Sequence, residues 1–198
     1  MKKVYDTINQ YCVEHELLTN GDGIVIGLSG GMDSVCLLQV LAALRNEWQL
    51  RLVCVHVHHG IRGTAADEDA AFAQRLAAKY NISFRLYEMD IPQLAKEQGL
   101  SEEEAGRNYR YRCFEEVRKE LNFDKIAVAH HRDDQAETVL WQILRGSGLR
   151  GVCGMRAGRA NIIRPLLCLD RQQIEQIVRG NGDGWREDAT NREEKYTR

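Results

Sequence analysis

The chain of 198 residues lacks several things that would have narrowed its class at once. It has no apolar run near the ~18 residues of a membrane span, and its start, MKKVYDTINQ, carries no apolar stretch of the kind that directs secretion. No CxxC pair occurs among six scattered cysteines, so a disulfide frame or a thiolate metal site is not expected, and five of the six lie in apolar-rich segments that suit small buried thiols of a reducing compartment. There is also no internal repeat, no low-complexity tract and no stretch composed like an interdomain linker. A cytoplasmic protein with one domain over residues 1–198 is the expectation.

What is present is ordinary for a folded domain. Hydrophobic residues make up 43% and charged residues 28%, which argues against disorder and against fibrous sequence. With 27 basic and 29 acidic residues the formal charge is −2, too small to attract a polyanion by itself. Its distribution is uneven, however. From Thr138 to Leu169 there is no acidic residue, while Arg145, Arg150, Arg156, Arg159 and Arg164 fall within that segment. A solvated connection and a polyanion-binding strip are both consistent with this composition.

Short β-branched runs alternate with stretches of helical periodicity, the pattern of a parallel sheet covered on both faces. The segments 24–28, 52–57, 82–89 and 125–129 are predicted strands, and 161–167 is a weaker fifth. Helices are predicted at 2–17, around Val35 to Ala42, around Phe72 to Ala77, after the Ser101/Glu104 capping pattern, along Val139, Leu140, Ile143 and Leu144, and over 170–179. The expected fold class is α/β: doubly wound, with a mainly parallel five-stranded sheet and helices on both faces.

The sharpest chemical signal is Ser29-Gly30-Gly31-Met32-Asp33-Ser34, set between an apolar strand and an amphipathic helix. Ligands collect beyond the carboxyl ends of parallel strands, where a helix start offers unpaired N–H groups to an anion. Two glycines let the backbone approach a phosphate, and Ser29 and Ser34 add hydroxyls. The loop has no lysine and its glycines are adjacent, so neither GxxxxGK[ST] nor GxGxxG fits. An aspartate cannot neutralise phosphate itself, which suggests that Asp33 meets a Mg²⁺ carried by a nucleotide. The plainer alternative is a glycine turn in which Asp33 caps a helix.

SGGMDS resembles the PP-loop of ATP pyrophosphatases, which cleave ATP to AMP and pyrophosphate and adenylate a carbonyl oxygen. Further blocks resemble tRNA(Ile)-lysidine synthases in particular. They are His56 to Gly63 with Asp67 and Asp69, Glu103 to Arg107 with Arg110 and Tyr111, Ala129 to Thr138, Arg145 to Gly151 followed by Gly154-Met155, Arg164-Pro165-Leu166 and Glu187 to Asn191. Gly106 stands where alanine is more usual in that family, and the chain stops just after the last block, where the family's C-terminal domains would be expected.

The resemblance implies a Rossmann-like PP-loop fold of the adenine nucleotide alpha-hydrolase kind and a ligase reaction. ATP, with Mg²⁺, would activate the wobble cytidine of a minor isoleucine tRNA with a CAU anticodon, and free L-lysine would displace AMP. It assigns nucleotide contact to Ser29, Gly30, Gly31, Met32, Asp33 and Ser34, and catalytic roles to Asp33, Arg107, Arg110, His130 and Asp134. Asp33 and Asp134 would meet the metal. Arg145, Arg150 and Arg156 would meet tRNA, no membrane is implied, and a homodimer is compatible with the sequence. A PP-loop tRNA thiolase and a nucleotide-binding module without catalysis are the rival readings. Each block also has a plainer one: Glu103, Arg107 and Tyr111 as a surface cluster at helical spacing, and an aspartate near His130 as a helix cap. Three histidines at 56, 58 and 59 could suggest zinc, but strand alternation turns His59 away from the other two and no cysteine completes a set.

Overall fold

The computed structural model describes residues 2–58, 64–146 and 153–186. Six strands form one sheet: β1 (Gly23–Gly27), β2 (Arg51–His58), β3 (Ser83–Glu88), β4 (Lys125–Ala127), β5 (Gly158–Arg159) and β6 (Ile162–Ile163). Their order is β3-β2-β1-β4-β6-β5, parallel throughout except for the β5–β6 pair. The helices are α1 (Lys2–Glu14), α2 (Met32–Leu44), α3 (Thr64–Lys79), α4 (Ile91–Gln98), α5 (Glu102–Glu120), α6 (Arg132–Leu144) and α7 (Arg171–Gly180).

Alternation along the strands divides the core in two, because successive side chains of a strand point to opposite faces. Ile24, Ile26 and Cys54 join one cluster with Ile8, Leu37, Leu41 and Ile177, from α1, α2 and α7. Val25, Val53, Val55 and Val57 join the other with Ile91, Phe114 and Val117, from α4 and α5. Phe114 packs so closely on β1 that a Cβ at Gly27 would lie 2.7 Å from its ring. The sheet is therefore covered on both faces, as expected for a doubly wound fold.

Four expectations need correction. The run 161–167 is not a full strand: only Ile162 and Ile163 pair, and a 3-10 turn over Pro165–Cys168 follows. Pro165 has no N–H for a ladder and presets a turn, which ends the strand. The sheet gains a sixth strand, β5, folding back antiparallel on β6. Helix α4 is an addition, opened by Asp90, which accepts a hydrogen bond from Gln93 N–H, and closed by Gly99 at φ 66°. Finally, α6 forms where expected but buries no residue, and Leu140, Ile143 and Leu144 are exposed.

The topology fixes where a site can lie. β1 has β2 on one side and β4 on the other, so the connections leaving β1 and β4 diverge and open a crevice at their carboxyl ends. Residues 28–34 follow β1, and 128–134 follow β4.

Candidate active site at the carboxyl ends of β1 and β4

After β1 the chain turns through Ser29 to Ser34, with Gly30 at φ +94°, a backbone conformation that side-chain-bearing residues avoid. The loop is tied to itself by the Ser34 hydroxyl, which donates to Gly31 O (2.8 Å) and accepts from Gly30 N–H (3.1 Å). Ser29 Oγ lies 3.1 Å from Ser34 Oγ and accepts from Gly31 N–H at 3.3 Å. Gly31 caps α2 without a side-chain bond, so the helix start remains open to an anion. Asp33 lies in the first turn of α2, which rules out the capping role weighed for it.

After β4, the cap of α6 is His131 rather than an aspartate. Its Nδ1 accepts from Asp133 N–H (3.2 Å), and Asp134 Oδ2 returns a bond by accepting His131 N–H (2.8 Å). With Nδ1 an acceptor, the neutral ring carries its proton on Nε2. Nε2 faces Asp33 Oδ2 at 3.8 Å and Asp134 Oδ2 at 3.6 Å. Two carboxylates from separate elements thus converge on one imidazole. Burial pushes the Asp33 carboxyl above the usual carboxylate range, the nearby Asp134 and Asp133 add to the rise, and His131 and Arg171 oppose it.

His130 points elsewhere. Its Nδ1 lies 3.3 Å from Arg164 Nε and accepts from that guanidinium, which also donates to Arg156 O at 3.0 Å. Burial and the Arg164 charge hold His130 down to about 4, so at neutral pH it is an uncharged ring with an Nε2–H to donate. Arg107, its guanidinium 5.2 Å from the Tyr111 ring centroid, acts electrostatically on both His130 and Arg164. Arg110, the next turn along α5, feels the Arg107 charge and acts in turn on His56.

Arg107, His130 and Asp134 line one cleft of about 500 Å³ together with Glu137, Trp141 and Arg145. Met155 also lines it and is clipped to α6 by Gln135: Nε2 donates to Met155 O (2.9 Å), and Oε1 accepts Met155 N–H (2.6 Å). Of the arginine strip, Arg145, Arg156 and Arg159 are exposed, whereas Arg164 is buried against His130. Arg150, the 59–63 part of the second block and the block 187–191 lie outside the described residues.

Sequence reasoning missed His131, Gln135 and Arg186. Arg186 N–H donates to Gly30 O (2.9 Å), its Nε bonds Asp69 (2.6 Å), and its Nη2 bonds Glu68 (2.8 Å), so it holds the phosphate-loop candidate against α3. Over 100 residues separate these partners, and nothing local announces the contact. His56 is buried, and its Nδ1–H donates to Leu28 O at 2.8 Å, fastening β2 to the start of the loop.

Does the pair Asp33 and Asp134 suit a divalent cation? Asp33 Oδ1 is buried and has no hydrogen-bond partner, which for a carboxylate oxygen is costly unless a cation or donor arrives. Asp134 has an oxygen beyond the one engaged by His131, and a hard cation prefers such oxygen donors. Two carboxylates are too few for a closed protein cage but suit an ion that arrives with phosphates, so the residues fit Mg²⁺.

A family model described as a PP-loop domain matches residues 2–198. The chain belongs to the PP-loop family. Among its relatives, a tRNA(Ile)-lysidine synthase of Caldanaerobacter subterraneus subsp. tengcongensis is 47% identical over all of this chain, and one of Clostridium perfringens is 42% identical. This chain spans 42% and 41% of those proteins' lengths. In fold, the PP-loop chain resembles a U34-tRNA thiolase, NcsA, from Methanococcus maripaludis at TM-score 0.75, with 19% identity, 93% of this chain and 64% of that one. It also resembles an ammonia-dependent NAD synthetase from Campylobacter jejuni at TM-score 0.60, with 17% identity, 91% of this chain and 73% of the other. Among the described residues, no helix is long and apolar enough to cross a membrane.

Proposed function

We propose that this PP-loop chain is the catalytic part of an ATP-dependent ligase that joins free L-lysine to C2 of the wobble cytidine of a minor isoleucine tRNA with a CAU anticodon. The observation that carries the reading is the convergence, at one switch point, of a phosphate-loop candidate after β1 and a cleft after β4 holding Arg107, His130 and Asp134. Lysidine synthases at 42–47% identity over the full chain support the choice of reaction.

ATP binds with its phosphates at the open start of α2, where the first-turn N–H groups, uncapped by any side chain, and the helix dipole favour negative charge. Asp33 and Asp134 are the residues that would hold Mg²⁺, which, when bound, neutralises phosphate charge. The C2 carbonyl oxygen of cytidine attacks the α-phosphorus and pyrophosphate leaves. The ε-amine of lysine then attacks C2, and AMP departs with the oxygen. Arg107 and the neutral His130 donate hydrogen bonds to phosphate oxygens as charge builds, and Arg110 serves from the β2 side. A ring held near 4 is a poor proton acceptor at neutral pH, so the amine's proton goes to a carboxylate of the cleft, where Glu137 stands beside the metal-holding Asp134.

Sulfur transfer fits this chain less well. Cys12, Cys36, Cys54 and Cys113 are buried, and burial pushes the Cys12 and Cys54 thiols up to about 12, which disfavours the reactive thiolate. The test is turnover with labelled lysine, Mg-ATP and the cognate tRNA. Lysine-dependent release of AMP and pyrophosphate, with label entering tRNA, is expected. Label-free tRNA, or AMP release indifferent to lysine, would refute the assignment.

A further inference from the structure

Exposed large apolar side chains among the described residues are Val13, Leu86, Leu140, Trp141, Ile143 and Leu144, so four of the six sit on α6. A helix that buries nothing has been given an apolar strip for some other purpose than the core. At about 100° per residue, Leu140 and Leu144 lie about 100° and 60° to one side of Trp141, while Asp134 and Arg145 lie about 20° and 40° to the other. Trp141 is therefore the residue at which the apolar strip meets the cleft, and it is 45% exposed while lining that cleft with His130 and Asp134. The Arg145 guanidinium sits 4.8 Å from its ring centroid.

We infer that Trp141, backed by Arg145, is a stacking platform for an unpaired nucleobase of an RNA loop, the base beside the one that reacts. This deepens the proposed function and rests on it for the identity of the RNA. An aromatic face next to a guanidinium is the chemistry that takes unpaired bases, since every base has a π-face and each carries a phosphate for the arginine. Charge selects a polyanion over an apolar protein partner: exposed Arg145 and Arg156 flank the cleft, and no acidic residue occurs from Thr138 to Leu169. Placement selects an unpaired base over a duplex, because the indole opens into a cleft rather than onto a flat surface. An RNA-modifying site must also hold its loop open, and a stacked neighbour does that.

The test uses the whole chain and a synthetic anticodon stem–loop of the minor isoleucine tRNA, with a second stem–loop lacking the base 3′ to the wobble cytidine. RNA binding is titrated by the anisotropy of a fluorescein label on the stem–loop for the wild type, Trp141→Ala, Trp141→Phe and Leu140→Ser/Leu144→Ser, tryptophan quenching is followed in the wild type, and Mg-ATP affinity is the control. The expected result is quenching by the intact loop and a loss of affinity of roughly tenfold or more in Trp141→Ala, largely restored in Trp141→Phe, with ATP binding unchanged. Removal of the flanking base should abolish the difference between wild type and Trp141→Ala. Unchanged RNA affinity in Trp141→Ala overturns the platform. So does an equal loss in the Leu140→Ser/Leu144→Ser variant accompanied by a changed sedimentation mass, which would mark α6 as a protein interface. If the wild type forms no lysidine yet the loop still quenches at Trp141, the ligase reading fails and the platform stands.

Discussion

Asp33→Asn should abolish adenylation and, without nucleotide, make the protein more stable. Asp33 keeps one oxygen buried and unpartnered, and its side chain is 35% exposed, with Asp133 and Asp134 nearby. Leaving a buried polar group unsatisfied costs about 1–3 kcal/mol. With a third of the side chain in water, solvent screening brings the figure to the low end, about 1 kcal/mol. The amide removes the charge and keeps the shape. A gain of that size in a domain of 150–250 residues moves Tm up by about 2–4 °C. The sign of the pH dependence follows from the raised folded-state pKa. The penalty is absent below the unfolded value near 3.9 and is fully present once pH has risen through the raised folded value, so the mutant's advantage should be small at pH 4 and larger at pH 7.

Mg-ATP should reverse the ranking, since at a hundredfold excess over Kd a ligand adds about 2.7 kcal/mol to the protein that binds it and nothing to one that does not. Thermal unfolding at both pH values, with and without Mg-ATP, and pyrophosphate release read all of this. A mutant that melts below the wild type without nucleotide, or that still adenylates, would refute the reasoning.

The other predictions concern the second strand end. Asp134→Asn keeps an acceptor for the His131 N–H and should fold, yet lose at least ~100-fold in turnover; Arg132→Gln, whose partner is Asp170 on the surface, should lose little, as steady-state kinetics will show. Gln135→Ala removes both bonds to Met155, so it should cost about 1–2 kcal/mol in denaturant unfolding and speed tryptic cleavage at exposed Arg156. Changing Arg145, Arg150 and Arg156 together to Gln should weaken tRNA binding and lower the slope of log affinity against log salt by roughly two to three, measured by filter binding at several salt concentrations.

The legible parts were those in which local pattern and tertiary position agree. β1, its glycine loop and α2 read directly, because alternating burial is written into Ile24, Val25 and Ile26, and α2 is apolar nearly all round. Periodicity reports that a helix has a face but not what meets it, so the helical face read along Leu140, Ile143 and Leu144 formed as a helix yet leaves these residues exposed. Asp90, Pro92 and Gly99 framed α4 with ordinary start and stop residues, and that helix was readable though unread. Asp33, His130 and Asp134 were singled out through motif and position, and the structure sets Asp33 beside Asp134, and Asp134 beside His130 in one cleft. His131 was passed over because an imidazole is a rarer cap than a carboxylate. Arg164 was counted with surface charge, and only its contact with His130 across the sheet edge reveals it as buried.

The two halves of the crevice are built with different stiffness, and the division follows the proposed substrates. The phosphate-loop candidate rests on α2, ten of whose residues are buried between β1 and α7, and it is pinned from above by Arg186 at Gly30 O. A nucleotide's phosphates are the same in every turnover, so a rigid cradle suits them and loses little entropy on binding. The other wall is α6, with no buried residue, held near its start by the His131 cap and by Gln135 on Met155. Few buried contacts mean a low local cost of opening. An RNA loop must be admitted, rearranged and released around that wall, and a wall of low stability next to a rigid phosphate site lets those steps proceed without disturbing the activated nucleotide.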